Sequence, residues 1–224
     1  MGYLNPCYYS NRLIAKLELL DVKNQLDFIL INKAIYWAKK YHDGQFRKSG
    51  EPFYTHPLEV AYMVVDYNLT TNVTVASILH DIVEDTEVTI GMIVDGFSWR
   101  IAEIVDRLTR DRTDGSKLTV EEILNNAYKK NDKEVLLIKI VDRLHNMQTV
   151  QAKSPEKMKK TTKETLVNFL ALSEIMDMPT LSDALYNLCY QTNIILGVAL
   201  KQDFILDKLF ILDKIVPVSE NNVR

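Results

Sequence analysis

An all-α fold is predicted by three features of the sequence. Glycine and proline are scarce, at 7 and 6 in 224 residues, so few positions punctuate the chain. Few segments alternate apolar and polar residues as half-buried strands do. Apolar side chains recur instead at helical spacing.

The elements follow in order. From about Leu26 to Tyr41, Phe28, Ile31, Ile35 and Ala38 mark one face of a helix, and Gly44 ends the pattern. A second helix is expected from Tyr54 to about Asp66, carrying Val60 and Val64. Thr71-Asn72 cap a third, which runs through Val73, Val75, Ala76, Ile78, Leu79, Ile82 and Val83 and is apolar on most sides. A fourth begins near Thr89 and a fifth after Ser98. Thr119 with Glu122 three residues later is a capping-box pattern for a sixth. Between the fifth and sixth, residues 109–117 are polar and aperiodic and read as an exposed loop. Glu134 to Val150 is helical again, apolar along Leu137, Ile140, Val141, Leu144 and Met147, until Ser154-Pro155 breaks it. Two or three further helices fill 157–212. The domain plan is therefore an N-terminal extension over 1–25, a core over 26–153, C-terminal helices over 154–216 and a tail over 217–224.

Composition excludes several function classes. Lys plus Arg is 27 and Asp plus Glu 30, a net charge of −3, and neither half of the chain is strongly basic, so no nucleic-acid partner is expected. No apolar run approaches the roughly 20 residues needed to cross a bilayer, and no secretory signal opens the chain, so a cytoplasmic protein without membrane contact is expected. Cys7 and Cys189 have no metal-binding or disulfide spacing and read as free thiols.

Polar residues set into apolar helices carry the chemistry. His80-Asp81 interrupts the third apolar run, and burying them unpaired is costly. In a continuous helix, spacing of four stacks Glu84 over His80 and Asp85 over Asp81. Asp142, flanked by Ile140, Val141 and Leu144, needs a cation or several donors, and either Arg143 or a metal would serve. His56 opens another helix before Pro57. Together His56, His80, Asp81 and Asp142 offer two nitrogen and at least two oxygen ligands, a mixed set that suits Mn²⁺, Fe²⁺, Zn²⁺ or Mg²⁺ with positions left open for water and substrate.

Three long segments in order are similar to the signatures of one family. They are His42-Asp43-Gly44-Gln45-Phe46-Arg47-Lys48-Ser49-Gly50-Glu51-Pro52-Phe53 with Tyr54-Thr55-His56-Pro57, then Leu79-His80-Asp81-Ile82-Val83-Glu84-Asp85-Thr86, then Lys139-Ile140-Val141-Asp142-Arg143-Leu144-His145-Asn146-Met147. They resemble the hydrolase domain of the RelA/SpoT alarmone enzymes, within the HD phosphohydrolase superfamily. The resemblance covers about 34–150. It weakens beyond Glu164, where Phe169 and Ala171 stand in place of the usual tyrosine and proline.

The resemblance implies an HD-domain helical bundle with one Mn²⁺ and removal of the 3′-pyrophosphate of (p)ppGpp to give GDP or GTP. His56, His80, Asp81 and Asp142 would ligate the metal. Glu84 and Asp85 would position and deprotonate the attacking water, and members that only synthesise alarmone lack this acidic pair. Arg47 would stack on guanine, and Lys48, Ser49, Asn146 and Thr149 would complete the nucleotide contacts. Gln148 replaces the arginine usual in the third signature. His42 and His145 stay outside the metal set. Only about 36 residues follow Leu188, too few for a synthetase domain, so the expectation is a stand-alone small alarmone hydrolase or a hydrolase-only piece of a longer relative. Two alternatives remain. Another HD phosphohydrolase, acting for example on NADPH, would share the metal set but not the base contacts. A non-catalytic alarmone-binding protein would keep the Arg47 turn and lose Glu84 or Asp85.

Overall fold

A computed structural model of the protein describes residues 5–112 and 115–198. The described residues are helical, with no strand beyond the isolated bridges Phe46–Pro52 and Asp111–Lys117. They divide into two compact units, 1–145 and 146–224. None of the helices is long and apolar enough to cross a membrane.

In the first unit the chain forms α1 (Tyr8–Leu20), α2 (Phe28–Tyr41), α3 (Thr55–Val64), α4 (Thr71–Leu79), α5 (Ile82–Asp85), α6 (Ile90–Gly96), α7 (Trp99–Leu108) and α8 (Val120–Lys129). Helix α9 (Lys133–Gln148) follows and runs across the division between the units. The centre is α4, in which every residue from Val73 to Leu79 is buried. A helix apolar on all sides must be covered on all sides, and α2, α3 and α7 pack against it. Helix α1 packs on α3 with Leu13 and Leu17 fully buried, so the stretch expected as an extension belongs to this bundle.

Local signals set most helix starts. Asp27 accepts from the Leu30 N–H at 2.9 Å and opens α2. Thr89, Ser98 and Thr119 each accept an N–H of the following turn, and Thr119 with Glu122 forms the full capping box at α8. At α4 the expected cap is displaced. Thr70 takes the N-cap position without a side-chain bond, while the Thr71 hydroxyl accepts from the Asp27 N–H at 2.9 Å and ties α4 to the start of α2.

The third predicted helix is two. Helix α4 stops at Leu79, His80 and Asp81 form a turn, and α5 starts at Ile82. His80 Nδ1 lies 2.8 Å from the Ser77 carbonyl oxygen and donates to it. The ring thus takes a carbonyl that a continuing helix would offer to the main-chain N–H four residues on, at Asp81. The next turn resumes with the Asp85 N–H on the Asp81 carbonyl at 3.0 Å.

In the second unit Val150–Ala152 is a 3₁₀ turn, and Pro155 stands in the first turn of α10 (Pro155–Glu164), so Ser154-Pro155 starts a helix, while α9 has already ended at Gln148. A π-helical segment, Thr165–Leu170, leads into α11 (Ala171–Ile175), and α12 (Pro179–Ile195) packs on α10, on the π segment and on α11. The division between the two compact units falls at 146, inside α9. The expected tail at 217–224, and the expected helical content beyond 198, lie outside the described residues.

Candidate metal centre and active site

Four side chains from three elements converge. His56 comes from the first turn of α3, His80 and Asp81 from the turn between α4 and α5, and Asp142 from α9. Asp81 Oδ2 lies 3.3 Å from His56 Nε2 and 3.2 Å from His80 Nε2, and Asp142 Oδ1 lies 3.2 Å and 3.7 Å from the same two atoms. His56 and His80 are buried, while Asp81 and Asp142 keep 21% and 17% of their side-chain surface. The cluster thus has a closed imidazole side and an open carboxylate side.

These residues fit a divalent cation. His80 Nε2 is buried without a hydrogen-bond partner, although it faces two carboxylates. Ligands held about 2.1 Å from a small ion stand roughly 3.0–3.5 Å from one another, and three of the four distances above fall in that range, with His80 to Asp142 slightly longer at 3.7 Å. One ligand atom each from His56, His80 and Asp142 lies within 4.8 Å of the others. Nitrogen and carboxylate oxygen together, without thiolate, suit a borderline or hard metal with open positions.

Charge pushes in the same direction. Burial draws the His80 imidazole down, yet Asp81 and Asp142 outweigh it and raise the group to about 10 in the ion-free protein. Burial raises the Asp81 and Asp142 carboxyls, but the two imidazoles hold both far below the usual range. A cation at this place replaces the proton on His80.

His56 is oriented from behind. Its Nδ1 lies 2.9 Å from His145 Nδ1. With His56 Nε2 given to a cation bound at the cluster, Nδ1 would carry the proton and His145 would accept it. Burial, with the charges of His56 and Arg47, lowers His145 to about 3 and so keeps it a neutral acceptor. From its place beside an apolar stripe, the sequence reads His145 as a core group or a support for a ligand rather than as a ligand itself.

The acidic pair sits on α5. The Glu84 Oε1 atom accepts from the Arg110 main-chain N–H at 2.6 Å. Residues 109–117, expected as a plain exposed loop, therefore anchor a candidate catalytic carboxylate. The loop itself folds back, with the Leu118 N–H on the Arg110 carbonyl at 2.9 Å and the Arg112 N–H on that of Ser116 at 3.0 Å. Nothing in its polar composition signals this. Asp85 keeps a solvent-facing edge, and partial burial together with the Asp81 and Glu84 carboxylates raises it to about 6.

Arg47, Lys48 and Ser49 lie in a reversed turn closed by the Arg47 N–H on the Glu51 carbonyl at 2.9 Å and the Phe53 N–H on that of Gln45 at 2.9 Å. Gly50 adopts φ 99°, which only glycine takes without strain, and so lets the chain double back. Ser49 donates to the Glu51 carboxylate. Burial lowers the pKa of half-buried Arg47 from its ordinary value, against the attraction of Asp142 and Asp81. Asn146 and Thr149 fall beyond the division and belong to the second unit.

Residues 34–174 match the model of a family described as HD domain. The chain belongs to the HD domain family. This HD domain is 34% identical over 173 residues to a probable guanosine-3′,5′-bis(diphosphate) 3′-pyrophosphohydrolase of Mycoplasma genitalium, a match that covers 72% of the chain and 24% of that protein. It is also 34% identical over 159 residues to the guanosine-3′,5′-bis(diphosphate) 3′-pyrophosphohydrolase of Haemophilus influenzae, covering 69% and 24%. It thus spans about a quarter of the length of these relatives. Among solved structures it resembles one described as a metazoan ortholog of SpoT that hydrolyses ppGpp, with a TM-score of 0.55 and 17% identity over 87% of this chain and 99% of that one. That likeness carries the fold, an all-α HD-domain bundle.

Proposed function

We propose that this HD domain is a metal-dependent hydrolase of the alarmone (p)ppGpp that releases pyrophosphate from the 3′ position and leaves GDP or GTP. The carrying observation is the convergence of His56, His80, Asp81 and Asp142 on one point with Glu84 and Asp85 one turn away. It occurs in a chain one-third identical to proteins named for that reaction. In this reading the four residues hold one Mn²⁺. When bound, the ion supplies charge that polarises phosphoryl oxygens and lowers the pKa of water.

The chain's own groups then divide the work. Asp85, raised toward neutrality and reachable from solvent, takes a proton from the attacking water. Glu84, held by the Arg110 N–H, fixes the orientation of that water. Water forms the new P–O bond, the bond to the ribose 3′ oxygen breaks, and that oxygen leaves as a hydroxyl with the proton that Asp85 took from the water. The flat Arg47 guanidinium stacks on guanine, while Lys48 and Ser49 hold phosphate, sugar or base edges. A nucleotide substrate fits a cytoplasmic protein.

The test is to incubate the protein with ppGpp labelled in the 3′ group, with and without Mn²⁺, and to identify the products. Labelled pyrophosphate and GDP, abolished by chelation, are expected. No turnover of ppGpp alongside orthophosphate release from NADPH would replace this reading with that of another HD phosphohydrolase. Stoichiometric ppGpp binding without turnover would leave an alarmone-binding protein.

A further inference from the structure

We propose that Gln45 is a positioning residue that ties the nucleotide turn to the catalytic carboxylate of Asp85 and fixes the tautomer of the buried His42. The assignment rests on the hydrolase reading above in naming Asp85 catalytic. Gln45 Nε2 lies 2.8 Å from the main-chain carbonyl oxygen of Asp85, and Gln45 Oε1 lies 2.8 Å from His42 Nδ1. A carbonyl only accepts, so the amide nitrogen must face Asp85. The amide oxygen then faces His42, whose Nδ1 must carry a proton and donate it. Burial lowers the His42 pKa and keeps the ring neutral.

The ring pays for this orientation, since His42 is 1% exposed and its Nε2 is left with no hydrogen-bond partner. Phe53 stacks on the ring with centroids 4.7 Å apart, and its N–H donates to the Gln45 main-chain carbonyl, so Phe53 is joined to both residues. One side chain thereby joins His42 at the end of α2, the base of the turn that carries Arg47, and the last residue of α5. Asp85 sits at the C-terminus of a four-residue helix, too short to hold its own place. The tether supplies what the helix lacks.

The test uses the full chain. Gln45→Glu keeps the length and still accepts from His42, but sets an oxygen against the Asp85 carbonyl. Its kcat should fall about tenfold or more, with KM, bound Mn²⁺ and melting temperature near those of the unsubstituted protein. His42→Asn keeps a donor at the Nδ1 position and should retain most of kcat, whereas His42→Gln moves the amide to the other nitrogen's place and should not. An unchanged kcat in Gln45→Glu, or a loss matched by an equal loss of Mn²⁺, overturns the proposal.

A second measurement needs no turnover. Nitrogen NMR of the unsubstituted protein should show His42 protonated at Nδ1 and bare at Nε2. The opposite tautomer overturns the tether whatever the substrate proves to be. Failure of ppGpp hydrolysis with the expected tautomer instead overturns the hydrolase reading and leaves the tether standing.

Discussion

Asp142 stands between two imidazoles, and its carboxylate is useful there only as a charge. Asp142→Asn should abolish metal binding and activity, because an amide is a poor ligand for a hard cation, and metal analysis of the purified variant checks this. Glu84→Gln and Asp85→Asn should leave metal and nucleotide bound while kcat drops about a hundredfold or more. The two acids also differ in pH behaviour. Asp85 is raised to about 6, so it is protonated and useless as a base below that value. The rate should therefore fall as pH drops through about 6, or lower once a cation adds its field, and this limb should vanish in Asp85→Asn. Arg47→Ala should raise KM for ppGpp by the equivalent of about 1–2 kcal/mol, and Arg47→Lys should recover only part of it, since an ammonium lacks the planar face. An equal loss with inorganic pyrophosphate as the ligand would show that Arg47 steers phosphate by charge.

At the scale of the element, the break after Leu79 matters more than the helices beside it. A single continuous helix would carry His80 and Asp81 round with its own twist. The turn instead lets both point at one centre, and the Ser77 carbonyl taken by His80 sets where the break falls. Helix α1 makes the opposite point. Nothing chemical lies on it, yet Leu17 is fully buried against the α3 bundle that presents His56. Leu17→Ala should lower stability by about 2–5 kcal/mol in urea unfolding, a loss that a dispensable extension would not show.

For the whole molecule, the ion and the fold are linked. The cluster gathers two carboxylates at one place, so removing the cation should lower the melting temperature, and titrating Mn²⁺ back should restore it by mass action. Protons compete for the same seat. His80 is raised to about 10 without the ion, so through the neutral range it holds a proton that metal must displace. Apparent Mn²⁺ affinity should rise by about tenfold per pH unit between pH 6.5 and 9. The ion-free protein runs the other way. The His80 contribution to stability is complete below about 6.5, the imidazole's ordinary value, and is lost as pH rises through about 10. The stabilisation gained on adding Mn²⁺ should therefore grow from pH 6.5 to pH 9, as paired melting curves will show.

The sequence by itself determined most of the helices, several of their caps and the identity of the candidate ligands. Periodicity and capping are local properties, and Asp27, Thr89, Ser98 and the Thr119–Glu122 box act within one turn of where they stand. His56, His80, Asp81 and Asp142 stood out because ionisable groups in apolar stretches demand partners. Only the tertiary structure decided which partners they have. The Arg110 N–H on Glu84, the Gln45 amide on the Asp85 carbonyl and the His145 ring behind His56 join residues 26, 40 and 89 positions apart. Main-chain groups carry two of these bonds, and a main-chain N–H or carbonyl looks alike at every position of a sequence. Their placement depends on how α3, α4 and α7 pack around one apolar helix, which no local pattern encodes.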